Sequence, residues 1–239
     1  MLARRRRPCS RASLRRVSAN VHPAPKASPE KRWWLRTLAI FQAPRPVFAA
    51  LRDESQPEVE AREEPVLALI VLAGIAGILL APETGRWLDQ GLVDQSLAVL
   101  AVLVFLAGSI YGIATYWLAG AFLYVGLRGA GSQAGYRRAR HVLAFAAAPM
   151  VLGLVLVWPL RLVVYGRDSF RTGGDDHGLG PVLFDAASGV FALWSLALLV
   201  YGIAVVERWR PLRAVVAVAL AGLALLVLTL PFVIPIASR

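Results

Sequence analysis

Cysteine is nearly absent. The single Cys9 rules out an intrachain disulfide and any metal site built from thiolates, and it reads as a surface thiol rather than a lipid attachment point. Histidine is as sparse, with His22, His141 and His177 on separate segments. There is no Gly-x-x-x-x-Gly-Lys-Ser/Thr loop, dinucleotide fingerprint, His-Glu-x-x-His pair or Gly-x-Ser-x-Gly elbow. No catalytic, cofactor-binding or metal-ligating residue is therefore assigned, and no cofactor is expected. Asp168, Asp175, Asp176 and His177 share one polar segment, but Gly173, Gly174, Gly178 and Gly180 around them describe a loose turn rather than a rigid cation site.

Charge is scarce too. Charged residues make up 17% of the chain against 57% hydrophobic ones, more apolar than a surface facing water tolerates. The apolar residues gather into runs at Pro65–Ala81, Leu97–Leu127, Val142–Leu160, Val182–Val206 and Ala214–Ile236. Each is long enough to cross a hydrocarbon layer of ~30 Å, the first only just. The expected fold is all-α, a polytopic bundle of five transmembrane helices. Within the runs ionisable residues are almost missing, which counts against the alternative of a small transporter or permease subunit, since such groups mark ion pathways. Arg161 and Asp185 lie at the ends of two runs on one side, placed for a pairing.

What the chain does have is arginine in quantity, 24 against two lysines, within a formal charge of +11. Its location points to lipid rather than to nucleic acid. With five spans and a cytoplasmic N-terminus, residues 1–64, 127–141 and 207–213 share one side and hold all but five of the 26 basic residues. Basic residues are retained in the cytoplasm, where each contributes about 1 kcal/mol of attraction to anionic headgroups. The Arg, Ala, Gly and Leu bias suggests a GC-rich genome, and the expected location is a bacterial plasma membrane, multi-pass.

Three regions follow. Residues 1–30 form a basic tail, acid-free up to Glu30 and expected to be disordered. Residues 31–64 form a juxtamembrane region: a helix presenting Trp33, Trp34, Leu38 and Phe41 on one face to the headgroups, a second short apolar stretch after Pro44, and a solvated acidic linker, Asp53–Glu64. Residues 65–239 form the five-helix domain. Pro65 is expected at a helix start and Pro149 at a kink within the third span. The residues expected to meet headgroups or a partner are Arg128, Arg137, Arg138, Arg140, Trp33 and Trp34. Gly131, Gly135 and Pro149 are expected to shape the helices. Small-residue spacings at Gly108 and Gly112, and at Ala217 and Ala221, allow close helix approach either within one chain or in a homo-oligomer.

Two stretches carry a family resemblance. Phe41-Gln-Ala-Pro44-Arg-Pro-Val-Phe48-Ala-Ala-Leu51-Arg52 before the first span resembles a juxtamembrane pattern of proline, phenylalanine and leucine. Leu127-Arg-Gly129-Ala-Gly131-Ser-Gln-Ala-Gly135-Tyr136-Arg-Arg-Ala139-Arg140, followed by Pro149, resembles a Gly-rich inner loop, basic helix start and in-span proline. Both look like the Yip domain family over roughly residues 40–236. The resemblance implies five spans, a cytosolic N-terminus, no enzyme activity, and a role in organising membrane or recruiting a membrane or cytoplasmic protein. The Asp-Leu-Tyr-Gly-Pro segment of the Rab-interacting eukaryotic members is not present.

Overall fold

The structure, a computed structural model, describes residues 29–80, 97–166, 169 and 179–237. The basic tail up to residue 28 and the polar segment holding Asp168, Asp175, Asp176 and His177 lie outside the described residues. Two short helices, α1 (Pro29–Ala39) and α2 (Pro44–Ala50), precede α3 (Gln56–Leu80), α4 (Leu97–Gly129), α5 (Tyr136–Ala146), α6 (Ala148–Tyr165), α7 (Leu179–Glu207) and α8 (Pro211–Ala237). Among the described residues, five helical stretches are long and apolar enough to cross a membrane, with α5 and α6 together forming one of them, Tyr136–Tyr165. The expected five-span all-α bundle is thus present, and the protein is a multi-pass integral membrane protein in contact with lipid.

The short first span is resolved in an instructive way. Helix α3 is 25 residues long because it starts at Gln56, inside the stretch expected to be a solvated acidic linker. Only residues 53–55 between α2 and α3 are without regular structure. Pro65 is consequently a fully buried residue in the helix interior, not its first residue. Pro149 lies mid-way along the third span, Tyr136–Tyr165, beside an interruption of the helix as expected. The chain bends at Ala147, between α5 and α6, and Pro149 occupies the first turn of α6, where a missing amide donor costs nothing. The proline inside α6 is Pro159.

The spans form a closed cycle of neighbours, α3 to α4 to α8 to α7 to α6 and back to α3. Helix α5 packs against α3, α4 and α7 at one end of this cycle. There the core is tightest, with Trp33, Ile40, Phe48, Leu51 and Phe145 fully buried. Helices α1 and α2 are therefore part of the core, against α3 and α7 respectively. Elsewhere large apolar side chains point outward, such as Val102, Phe105, Leu106 and Ile110 on α4. A helix apolar all round with so little of it covered is stable only where its surroundings are apolar as well.

Both small-residue spacings are used inside the chain. The backbones of Gly108 and Gly112 lie against Gly74, Ile75 and Ile70 of α3, and Ala217 and Ala221 lie against Gly126 of α4. Close approach of this kind supplies the van der Waals contact on which helix association in lipid depends. The pairing of Arg161 with Asp185 is also present, at 2.9 Å.

Candidate membrane-interface site

The end of the bundle that holds α1, α2 and α5 also gathers the last turns of α4 and α7 and the first turn of α8. Two of these helices stop in the same manner. At the end of α4, Ser132 N–H donates to Leu127 O at 2.9 Å and Gly131 N–H to Arg128 O at 2.9 Å, with Gly131 at φ +88°. At the end of α7, Trp209 N–H donates to Ala204 O at 3.0 Å and Arg208 N–H to Val205 O at 3.4 Å, with Arg208 at φ +56°. Each is a Schellman stop, which satisfies carbonyls that a helix end leaves orphaned.

The two stops are joined. Ser132 Oγ donates to Glu207 at 2.8 Å, and Arg213 at the start of α8 donates from Nε and Nη2 to Ala130 O at 3.0 and 2.7 Å. Arg52 reaches across from the turn after α2 and donates to Val206 O at 3.1 Å and to Val205 O, placing a cation on the negative end of α7. In the same turn the Ser55 amide bonds the Asp53 carboxylate at 3.0 Å and holds its pKa below the ordinary range.

A test of these stops follows from handedness. Alanine at Gly131 would carry a β-carbon 2.7 Å from Arg213 Nη2 in addition to its left-handed backbone, a conformational cost of about 1–2 kcal/mol, or roughly 2–8 °C of Tm for a chain of this size. Arg208→Gly should shift Tm upward instead, because Arg208 already bears that cost. Thermal melts of the two purified variants check both signs.

The four arginines expected to act together do not occupy equivalent positions. Arg128 is exposed, 3.1 Å from the Tyr124 hydroxyl and 3.4 Å from the Gln133 side chain. Arg137 is exposed on the first turn of α5. Arg138 is half-buried and paired with Glu54 at 3.0 Å. Arg140 is stacked among three rings, 3.7 Å from the centroid of Trp117, 4.6 Å from Tyr136 and 5.1 Å from Tyr116. Arg128 and Arg137 are thus exposed, Arg128 bonded to neighbours in sequence, whereas Arg138 and Arg140 are engaged with residues of other elements.

The tryptophan pair divides likewise. Trp33 is fully buried, its ring 5.6 Å from Phe145 and its indole N–H donating to Glu58 at 2.9 Å, so it cannot reach headgroups. Trp34 remains exposed together with Leu35 and Leu38. Gly131 is required by its left-handed backbone. Gly135 is not required in that way, since it precedes α5 at φ −76° and a β-carbon there would meet nothing within 4 Å.

Sequence reasoning passed over Arg62 and Glu58. Arg62 is fully buried beneath Trp33, with its guanidinium carbon 5.7 Å from the ring centroid, and Glu58 pairs with Arg32 and Arg36 at 3.0 and 3.5 Å. A signal existed. Val59, Arg62, Val66 and Leu69 recur at helical spacing, which joins the acidic stretch to the span once a charged residue is allowed on the inward face.

The model of the Yip1 domain matches residues 38–231, from the end of α1 into α8. The chain belongs to the Yip1 domain family. No curated protein and no solved structure matches it. In this Yip1 domain the residues that carry the resemblance are accounted for by architecture: Phe48 and Leu51 are core, Gly131 ends α4, and Pro149 begins α6. The Yip1 match also spans the joined helix stops, so the polar network of this end is part of the domain and not an appendage to it.

Proposed function

We propose that this Yip1 domain protein is non-enzymatic and organises membrane or recruits a protein partner through the end of the bundle that carries α1, α2 and α5, which faces the cytoplasm. The observation that carries the reading is how the polar groups at this end are used. Arg52, Arg138 and Arg213 are bound to other parts of the chain, whereas Arg128, Arg137, Arg208 and Arg210 are exposed at the same end as the apolar Trp34, Leu35 and Leu38. Exposed cations beside exposed apolar side chains match the chemistry of an anionic lipid surface, or of an acidic protein held close to one. The concentration of basic residues on this side supports its cytoplasmic placement, and the arginine bias supports a bacterial plasma membrane.

The test combines topology and capture. A cysteine introduced at Arg137 in a chain lacking Cys9 should be modified by an impermeant reagent in inverted vesicles but not in intact cells. Arg128→Glu with Arg137→Glu should cut the recovery of crosslinked partners, or binding to anionic vesicles, at least threefold without altering that labelling. An unchanged crosslinking profile together with unchanged vesicle binding would remove the basis of the proposal.

A further inference from the structure

Helices α1 and α2 precede the first span, and the residues they meet give their depth along the bundle. Arg52 bonds Val205 O and Val206 O in the last turn of α7, the ring of Phe48 lies against Gly202 and 6.5 Å from Tyr201, and Phe41 meets Trp194 edge-on at 5.6 Å. From Arg52 back to Phe41 the chain therefore descends the side of α7. At ~1.5 Å per residue, Trp194 lies about 20 Å from the end of that helix at Glu207. On the other arm, Arg32, Trp33 and Arg36 hold Glu58 near the start of α3, so α1 enters at the end of the bundle and runs down to the same depth. The two helices form a hairpin whose turn is residues 40–43.

Where that turn stands relative to lipid follows from α3. Glu63 and Glu64 are exposed and are the last charged residues of that helix, with none from Pro65 to Leu80. Ala76 and Leu80 line one small cavity with Ser188 and Phe191 of α7, which sets the antiparallel register of the two helices. Trp194, less than one turn nearer the charged end than Phe191, is level with Ala73, about 13 Å beyond Glu64 on the hydrocarbon side. Phe41 shares that depth. The turn is made for such a place. The amides of Gln42 and Ala43 both donate to Ala39 O, at 3.0 and 2.8 Å, Pro44 and Pro46 have no amide to satisfy, and the Thr37 hydroxyl donates to Trp33 O at 2.9 Å. Backbone groups left open in hydrocarbon are costly. The polar side chains beside the turn, Gln42 and Arg45, are exposed, and the long stem of an arginine lets its guanidinium reach the headgroups from below them.

We propose that α1 and α2 form a re-entrant hairpin seated in one leaflet of the bilayer, with Trp34, Leu35 and Leu38 against acyl chains. All three side chains are exposed. Lipid is the occupant because the hairpin is fixed to the side of a span, at a depth where Val190, Leu193 and Leu196 of that same span also face outward. Water at this depth would leave both apolar surfaces unmet. Arg32 and Arg36, at the mouth of the hairpin, stand at headgroup level, as the cations of an interfacial helix do. The inference needs only that the bundle spans a bilayer. It does not rest on partner recruitment, and the two can fail separately.

Spin-label accessibility in the full chain, carried in nanodiscs of dioleoyl phosphatidylcholine and dioleoyl phosphatidylglycerol, provides the test. With Cys9→Ser as background, labels are placed at Leu38→Cys, at Leu193→Cys as the lipid-facing reference on α7, and at Glu60→Cys as the water-facing reference on α3. All three positions are exposed. Each label is then challenged with oxygen and with a water-soluble nickel chelate. The ratio of oxygen to nickel collisions at Leu38 should match that at Leu193 and exceed that at Glu60 about tenfold. A ratio at Leu38 close to that at Glu60 would put the hairpin in water, and collision with neither reagent would mean that protein covers it. Either result overturns the proposal. If Leu38→Cys yields no folded protein, Trp34→Cys decides it by the same ratio.

Discussion

Replacing Gly112 by leucine should prevent the chain from assembling into a stable bundle. A β-carbon at Gly112 would overlap the Ile70 carbonyl and stand 3.1 Å from the Gly74 α-carbon. Both obstacles are backbone, so no side-chain rotation removes them, and α3 and α4 would have to part. These helices form the most extensive contact of the fold. Overpacking a tight core costs ~1–3 kcal/mol or occasionally more, and for a leucine set against backbone we expect about 3 kcal/mol or more. Fluorescence-detected size-exclusion chromatography in mild detergent should show the monodisperse peak collapsing. Gly222→Leu is the control: a β-carbon there meets nothing within 4 Å, and its profile should match the wild type.

Trp33→Ala should be the next most damaging change and should act more locally. The ring is fully buried between Phe145 and Arg62, with its N–H on Glu58. Truncations of this kind cost ~3–5 kcal/mol. Because α1 is held mainly on α3, the loss should appear as release of α1 while the spans stay assembled. Hydrogen exchange of residues 30–39 should accelerate at least tenfold, with exchange in α4 and α7 unchanged. Trp33→Phe, which fills most of the volume but has no N–H for Glu58, should fall between the two. Uniform protection across all three proteins would show that α1 is not anchored through this residue.

The architecture was legible because a bilayer imposes a length. Runs such as Leu97–Leu127 and Val182–Val206 differ from α4 and α7 only by a few residues at their ends. Prolines were ambiguous for a physical reason: the same residue is tolerated at a helix start and, within lipid, in a helix interior. Pro65 accordingly lies inside α3 and not at its start, while Pro149 both follows the interruption of the third span at Ala147 and opens the helix after it. The stretch Asp53–Glu64 departs from a solvated linker because acidic residues can line the outer face of a helix whose inner face is apolar. In α3 the carboxylates of Glu58, Glu60, Glu63 and Glu64 surround a helix whose inward face is Val59, Arg62 and Val66. Trp33 and Trp34, one residue apart, are ~100° apart around a helix, enough for one to enter the core and the other to stay outside. Of the four expected arginines, sequence could locate all on one loop and helix, but not that Arg140 would be enclosed by rings from α4 and its own helix.

The joined stops of α4 and α7 have a mechanical meaning for how the protein meets its bilayer. Where a span ends is ordinarily a compromise with the lipid, because a helix can fray or extend by a residue or two as the membrane thins or thickens. Here the left-handed residues Gly131 and Arg208 break both helices at set positions, and the Ser132 to Glu207 bond holds the two breaks beside each other. The boundary at this face is therefore written in hydrogen bonds, and polarity has only to agree with it. A bilayer of unmatched thickness has to be accommodated by tilt, by lipid deformation or at the opposite face, which makes this end the fixed reference from which the protein measures its membrane.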